Sequence, residues 1–390
     1  MNNISATQTE LPAVGNSPRI EPVPVLLMVR ELDQGGVERD VAKIAVHLDR
    51  TRFVPHVATY YAHGLRYEEL RSAGIPILDL PLRKLASGET IRLGVKLWRY
   101  IRANGIKIVH AYDVSGVFGL AIAQMAGVPV AIGSQLSYRN ILDLKTQKLL
   151  RFSDRYSDAI LVNCEAIRRY MIEDEHVSAE KVELCYNGVI TTEFFPAAET
   201  KPPELASADL VIGTVCALRP EKGLLLLQEA FASLNFPGRK LQLVMVGSGA
   251  ELARLKENAA RLEIASASVF ISAQRNVAHW MRAMDIFVLP SLSEAFSNSL
   301  LEAMACGCCV VGSRVGGTPE LIGENSRGLL FEKGNSQDLA TQLTKLIADE
   351  SLRAEFGHRA AQHARENLSI EVAASRTAEI YDRLLARRES

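Results

Sequence analysis

Short runs of apolar, largely β-branched residues alternate along this chain with longer stretches whose apolar positions recur at helical spacing. The first run, Val23–Val29, reads as a buried strand, and Val37–Leu48 repeats its apolar residues along one helical face. Val54–Thr59, Ile75–Leu80, Ile106–His110, Val128–Ile132 and Ala159–Asn163 follow as strands, with helix-length segments between most of them. Strands that are apolar on both faces and joined by helices build parallel βαβ units. The rhythm breaks at Thr192–Asp209, where Pro196, Pro202 and Pro203 sit among small polar residues. It then restarts with strands at Leu210–Val215, Leu241–Val246, Val269–Ile271, Ile286–Leu289 and Cys309–Gly312. The pattern therefore predicts an α/β chain of two doubly wound, Rossmann-like domains. Ligands in that architecture sit at the C-terminal ends of the strands, so the cleft between the domains is the expected site. The expected divisions are a disordered tail at 1–22, an N-terminal acceptor-side domain at 23–190, a linker at 191–209, a C-terminal donor-binding domain at 210–368 and a closing helix at 369–390. That helix carries Val372, Ala373, Ile380, Leu384 and Leu385 as its apolar positions, and the sequence leaves open which domain it covers.

Composition narrows the class without naming a chemistry. With 48% hydrophobic and 23% charged residues, the chain is that of an ordinary globular protein of 390 residues, long enough for two cores. A formal net charge of −1 provides no global field for nucleic acid, and no such partner is expected. The six cysteines, Cys164, Cys185, Cys216, Cys306, Cys308 and Cys309, lack CxxC spacing, which favours buried thiols over a disulfide framework or zinc. No basic start with a long apolar run opens the chain, and no stretch approaches a membrane span. The expected location is the cytoplasm, with peripheral contact at the inner membrane face as an open option.

Chemistry enters at the strand ends. After Leu289 the chain reads Pro290-Ser-Leu-Ser-Glu294-Ala295-Phe296-Ser297-Asn298-Ser-Leu-Leu-Glu302, a Ser-rich turn leading into a helix near Ser297. Free backbone N–H groups and the helix dipole make such a start suitable for a diphosphate. Glu302 falls about one and a half turns inside, roughly 8 Å along the axis, while Glu294 precedes the helix. One carboxylate can then reach a ribose and the other a sugar on the opposite side of the diphosphate. Leu218-Arg219-Pro-Glu-Lys222-Gly223 follows a second strand and places a guanidinium and an ammonium where they can neutralise a departing diphosphate. Taken singly, each stretch also reads as a capped helix or a solvated turn. Gly35-Gly36-Val-Glu38-Arg39 opens the first helix and lets backbone approach phosphate, though it is not GxGxxG. Gly247-Ser248-Gly249 and Gly316-Gly317-Thr318-Pro319-Glu320 occupy equivalent strand-to-helix turns.

These residues together resemble the GT-B glycosyltransferases of the family 4 type, also called group 1. The likeness rests on Glu294 and Glu302 at their spacing, the Arg219–Lys222 pair, Gly35-Gly36, Gly316-Gly317 and Asn187-Gly188-Val189 with Phe194, Phe195 and Pro196. It runs from about Val23 to the end and is most specific over 210–330. The resemblance implies that Arg219 and Lys222 bind the donor diphosphate, Glu302 the ribose and Glu294 the sugar near the reacting carbon. It further implies that Ala295, Phe296, Ser297 and Asn298 line the sugar and phosphates, with Gly36 approaching from the other domain. Retention of anomeric configuration without a required metal ion or cofactor is also implied; the donor is a nucleotide-diphosphate sugar. The sequence departs from the family where Ala295 replaces a usual glycine, Cys309 a usual proline, and Gln135 a histidine beside the sugar. His110, at another strand end, is a candidate substitute on the acceptor side, with a satisfied structural histidine as the alternative.

Between Arg83 and Arg155 twelve Lys/Arg face only four Asp/Glu, with Trp98 and Tyr100 on a helical stretch. This is either a solvated face balanced elsewhere or a surface for an anionic membrane. The expected function is transfer of a hexose-type sugar from a nucleotide-diphosphate sugar to a glycan or lipid-linked acceptor in polysaccharide or glycoconjugate synthesis. The alternatives are a nucleotide-sugar epimerase or hydrolase, or a non-catalytic sugar-nucleotide binder of the same fold. A dehydrogenase is more distant, because GxGxxG is missing.

Overall fold

The computed structural model describes residues 21–33, 35–82 and 88–389. Nearly all of the expected tail 1–22, and Arg83 and Lys84 of the basic stretch, lie outside them. Among the described residues, thirteen strands form two sheets: β1 Val23–Glu31, β2 Phe53–Tyr61, β3 Ile77–Asp79, β4 Ile108–Tyr112, β5 Val130–Gln135, β6 Ala159–Val162 and β7 Val182–Leu184 in the first. The second contains β8 Leu210–Val215, β9 Leu241–Val246, β10 Ser268–Ile271, β11 Ile286–Leu289, β12 Cys309–Ser313 and β13 Leu329–Phe331.

The sheets run in the orders β3-β2-β1-β4-β5-β6-β7 and β10-β9-β8-β11-β12-β13, and every strand pair is parallel. Each order reverses direction once, between β1 and β4 and between β8 and β11, which leaves a crevice above the strand ends at those two points. The registers Leu27↔His110 and Ile286↔Ile212 fix the strands at these reversals. The short edge strands β7 and β13 went unread, whereas β3, equally short and also at an edge, was caught because the apolar run Ile75–Leu80 extends beyond it.

Each sheet is covered on both faces, as parallel sheets require. The closing helix, Ile370–Glu389, returns to the first sheet: Ile370, Ala373, Ala374, Ile380, Tyr381 and Leu384 share a core with Val25, Leu27, Phe53 and Ile132. Tyr381 lies edge-on to Phe53 at 5.6 Å between centroids. Val372, expected on the apolar side of this helix, is exposed instead. The chain thus crosses between domains twice, and the two crossings are stitched together. Val189 N–H donates to Leu368 O at 2.9 Å, and Ile370 N–H donates to Val189 O at 2.8 Å. Gly188 permits this, since a Cβ there would come within 2.6 Å of Ile370 Cα. An apolar core also runs across the interface, joining Val162, Ile167 and Met171 to Phe296, Leu300 and Leu321. Among the described residues no helix is long and apolar enough to cross a membrane.

Candidate active site

The two strand-end loops at the β8/β11 reversal are locked to each other. Gly223 adopts φ 65°, and a Cβ there would meet Pro290 O at 2.0 Å, so only glycine lets the Arg219–Gly223 turn lie against the Pro290 loop. Leu292 N–H donates to Glu221 O at 2.8 Å across the same seam. Within this frame Lys222 Nζ lies 2.7 Å from Glu294 Oε2, which also accepts from Ser291 Oγ at 3.2 Å. The Arg219 side chain is 67% exposed, with only a 3.9 Å contact to Glu221, and is free to reorient toward an anion. Gly316, at φ 51°, packs beneath: a Cβ would lie 1.9 Å from Glu294 O.

The helix Asn298–Ala305 begins where the Ser-rich turn predicts it. Ser297 Oγ accepts from Leu300 N–H at 3.2 Å as an N-cap, so the serine supports the helix start. Ala295 O is held by Gly317 N–H at 2.6 Å, and Phe296 packs its ring 5.7 Å from Tyr186. Opposite stands the helix Gly36–His47, whose N-cap Gly35 supplies no side-chain cap, while the Glu38 carboxylate folds back over this first turn. Two helix N-termini, one from each domain, thus converge on a cavity of about 600 Å³. Gly36, Asp40, Tyr138, Lys222, Glu294 and Asn298 are among its lining residues, and Arg219 stands at its wall.

Glu302 opens on a separate cavity of about 950 Å³, shared with Arg39, Lys43 and Arg66 of the first domain and Gln274 and Arg275 of the second. Arg39 Nη1 approaches Glu302 Oε1 to 2.8 Å, but Oε1 receives no well-aligned hydrogen bond and keeps acceptor capacity. Between the cavities lies a buried polar knot. Asp40 accepts from Asn298 Nδ2 at 3.1 Å and from Asn187 Nδ2 at 2.9 Å, while Lys43 Nζ donates to Gly188 O at 2.9 Å. Burial raises the Asp40 carboxyl pKa and lowers that of the Lys43 ammonium, and each charge opposes the other's shift. Asp40 and Lys43 were missed by sequence reading. Their signal was available: two charges three apart on the buried face of an otherwise apolar helix stripe.

The structure places three further expected site residues in contacts of their own. His110 is buried, with Nδ1 2.7 Å from Tyr381 Oη, Nε2 2.6 Å from Ser134 Oγ and its ring stacked on Tyr112 at 4.3 Å. Burial holds its pKa down to about 3, so it is a neutral structural histidine and offers neither nitrogen to a sugar. Gln135 is also buried: its Nε2 donates to Ser137 O at 2.7 Å, and its Oε1 accepts from Arg139 Nε at 2.7 Å. The amide therefore orients Arg139, which pairs with Asp154 at 2.8 Å and Glu175 at 3.2 Å. Gly247 donates its N–H to Ile271 O at 2.8 Å and has no room for a Cβ, which would fall 1.8 Å from Cys216 O. It is a packing glycine with no amide to offer a phosphate.

Asp113, directly after β4, adopts φ 46° and accepts Leu136 N–H at 3.1 Å. Burial pushes its carboxyl up to about 6 from 3.8, against the pull of that hydrogen bond and of Arg139. The native state holds this proton to higher pH than the unfolded chain does. Its contribution to stability is complete below about pH 4 and is lost as pH rises through about 6. Asp113→Asn is expected to be more stable than wild type by about 1–2 kcal/mol at about pH 8, less than the full shift because the side chain still meets solvent. Thermal melts across pH check this, with the two curves merging below about pH 4.

Comparisons with known proteins agree with the two-domain fold. The profile described as "Glycosyl transferases group 1" matches residues 197–363, and that of "Glycosyltransferase Family 4" matches residues 34–193. A D-inositol 3-phosphate glycosyltransferase of Corynebacterium jeikeium is 30% identical over 389 residues, covering 90% of this chain and 92% of the relative. An N-acetylgalactosamine-N,N'-diacetylbacillosaminyl-diphospho-undecaprenol 4-alpha-N-acetylgalactosaminyltransferase of Campylobacter jejuni is 24% identical, covering 89% and 96%. The Anabaena protein Alr3699/HepE, solved with UDP, superposes with a TM-score of 0.81 at 21% identity, covering 93% of this chain and all of that one.

Proposed function

The chain belongs to the group 1 glycosyltransferases of family 4 and has their GT-B fold; on that premise we propose that it moves a hexose-type sugar from a nucleotide-diphosphate sugar to a glycan or lipid-linked acceptor, with retention. The observation that carries this reading is the convergence of two helix starts, one from each domain, with Lys222 and a mostly exposed Arg219 on one interdomain cavity.

In this reading the diphosphate lies between the N-termini at Gly36 and Asn298. Arg219 and Lys222 neutralise the charge that grows on it as the glycosidic C–O bond breaks. They take the part that a metal ion plays in other transferases. Lys222 arrives paired with Glu294, so an incoming donor exchanges one anionic partner of Lys222 for another and frees Glu294 for sugar hydroxyls. Glu302, with its unaligned oxygen, takes the ribose hydroxyls in the neighbouring cavity. A donor phosphate oxygen accepts the acceptor's proton, and the sugar's new bond forms on the face the diphosphate leaves. Asp40, which shares the cavity with Glu294, is tied to Asn187 and Asn298, so this reading gives it no part as a nucleophile.

The relative named for a diphospho-undecaprenol substrate supports a lipid-linked acceptor, and the Anabaena protein's UDP supports a uridine donor. The test incubates the protein with UDP-, GDP- and ADP-sugars and polyprenyl-diphosphate or soluble glycan acceptors. Acceptor-dependent release of nucleoside diphosphate, with the donor's anomeric configuration kept in the product by proton NMR, is expected. Release of free sugar at the same rate without acceptor would assign a hydrolase instead.

A further inference from the structure

Among the described residues, the first domain has an exposed apolar face on the side of its sheet away from the closing helix. The helix Gly88–Ala103 buries Leu93, Leu97 and Ile101 against the sheet and turns Ile91, Val95 and Trp98 outward. With Met125, from the helix Gly116–Met125, and Leu149, from the helix Leu144–Ser153, these side chains line an apolar groove of about 590 Å³. Ile91 is 74% exposed, Met125 78% and Trp98 41%. Leu144 and Phe152 extend the exposed apolar surface along the third helix. Ile141, three residues before that helix, is exposed too and lines the cleft cavity, which puts one exposed apolar residue of this region at the mouth of the candidate active site. A contiguous exposed apolar patch of this kind marks a binding surface.

Its rim is cationic. Arg92, Lys96 and Arg99 stand on the adjoining side of the first helix, and Lys145, Lys148 and Arg155 on or just after the third; all are exposed. Among the described residues Arg99, Lys145 and Lys148 have no ion-pair partner, and Arg155 lies over the exposed Phe152 ring at 5.8 Å. The acids nearby are already engaged: Glu89 pairs with Arg92, Asp143 caps the third helix, and Asp154 holds Arg139. Arg139, counted among the basic residues of this stretch, is buried and contributes nothing to the surface. Apolar side chains with an aromatic at their centre and free cations around them match the layered chemistry of a bilayer surface.

We propose that this face docks on an anionic lipid bilayer. Ile91, Trp98 and Met125 enter the acyl boundary, and Arg99, Lys145 and Lys148 meet lipid phosphates. The inference deepens the lipid-linked-acceptor reading and rests on it for its purpose alone: Ile141 would bring the mouth of the cleft to the membrane surface.

The chain has two tryptophans, and Trp280 is buried in the second domain, so a lipid-dependent blue shift in emission reports Trp98. Full-length protein is mixed with vesicles of phosphatidylcholine alone or with phosphatidylglycerol added, then sedimented. Expected are a blue shift and pelleting with the anionic vesicles only, both reversed as salt rises. Each cation near such a surface raises partitioning about fivefold, so Arg99→Glu/Lys145→Glu/Lys148→Glu is expected to lower it by about 10²-fold or more, with an unchanged melting temperature. Trp98→Phe removes the blue shift and serves as its control. Equal pelleting with neutral vesicles, wild-type pelleting of the triple variant, or a lipid-free dimer that buries Trp98 would overturn the proposal. Sugar transfer is scored separately. Vesicle docking by a protein that glycosylates only soluble acceptors would uphold this surface and reject the lipid-linked acceptor.

Discussion

Replacing either Arg219 or Lys222 with alanine is expected to cut turnover by about 10²–10³, the scale for losing one preorganised electrostatic partner of a developing charge. The two variants should differ in detail. Arg219 is mostly exposed and touches only Glu221, so Arg219→Ala removes a cation and little else. Its effect should fall on kcat, because the charge it meets grows as the leaving group departs. Lys222 also holds Glu294 at 2.7 Å, so Lys222→Ala releases the carboxylate assigned to the sugar and should raise KM as well. Neither change should unfold the loop. Its seam is made by Gly223 against Pro290 and by the Leu292–Glu221 backbone bond, not by these side chains. Steady-state kinetics on folded variants at saturating donor decide the matter, and undiminished turnover in either would remove that residue from the leaving-group site.

Glu294→Gln and Glu302→Gln should separate two halves of the donor. Glu302 faces the cavity lined by Gln274 and Arg275, whereas Glu294 faces the cavity shared with Gly36 and Asn298. Glu302→Gln is expected to weaken nucleoside diphosphate and intact donor alike, and Glu294→Gln to weaken only the intact donor. About 1.5–3 kcal/mol is at stake in each, the range for hydrogen bonds to a charged group. Glu302→Gln also leaves Arg39 without its counter-charge near a buried position, so a lower melting temperature is expected for it and not for Glu294→Gln. Calorimetry with UDP and UDP-glucose, followed by the GDP and ADP pairs, checks the pattern. The same loss profile in both variants would refute the division of roles.

The central strands were legible because a parallel strand covered on both faces must be apolar throughout. β8, β9 and β11 fall at the expected residues, while the edge strands β7 and β13, short and without a longer apolar run around them like that of β3, went unread. The loops bearing Arg219, Lys222, Glu294 and Asn298 were legible for a related reason: a polar, Gly- and Ser-rich turn after a buried strand is a local feature. Side-chain commitments are not local. His110 is satisfied by Tyr381, 271 residues away in the closing helix, and Gln135 is claimed by Arg139, whose charge is met by Asp154 and Glu175. Strand-end position alone could not reveal that both side chains are engaged by partners of their own. Asp40 and Lys43 went unread for the converse reason. Charges on a helix's buried face make sense only once Asn187, Gly188 and Asn298 are brought against them by the two chain crossings.

The claim on which the rest depends is that the interdomain cleft binds a nucleotide-diphosphate sugar, and a thermal-shift screen of UDP-, GDP- and ADP-sugars tests it most directly. A ligand that binds only the native state at about 100 times its Kd stabilises that state by about 2.7 kcal/mol. At least one donor should therefore raise the melting temperature of the wild type clearly. The same donor should give a much smaller rise with Glu302→Gln and with Lys222→Ala. If no nucleotide sugar shifts the wild-type melt, or if the shift is unchanged in both variants, the cleft described here is not the donor site.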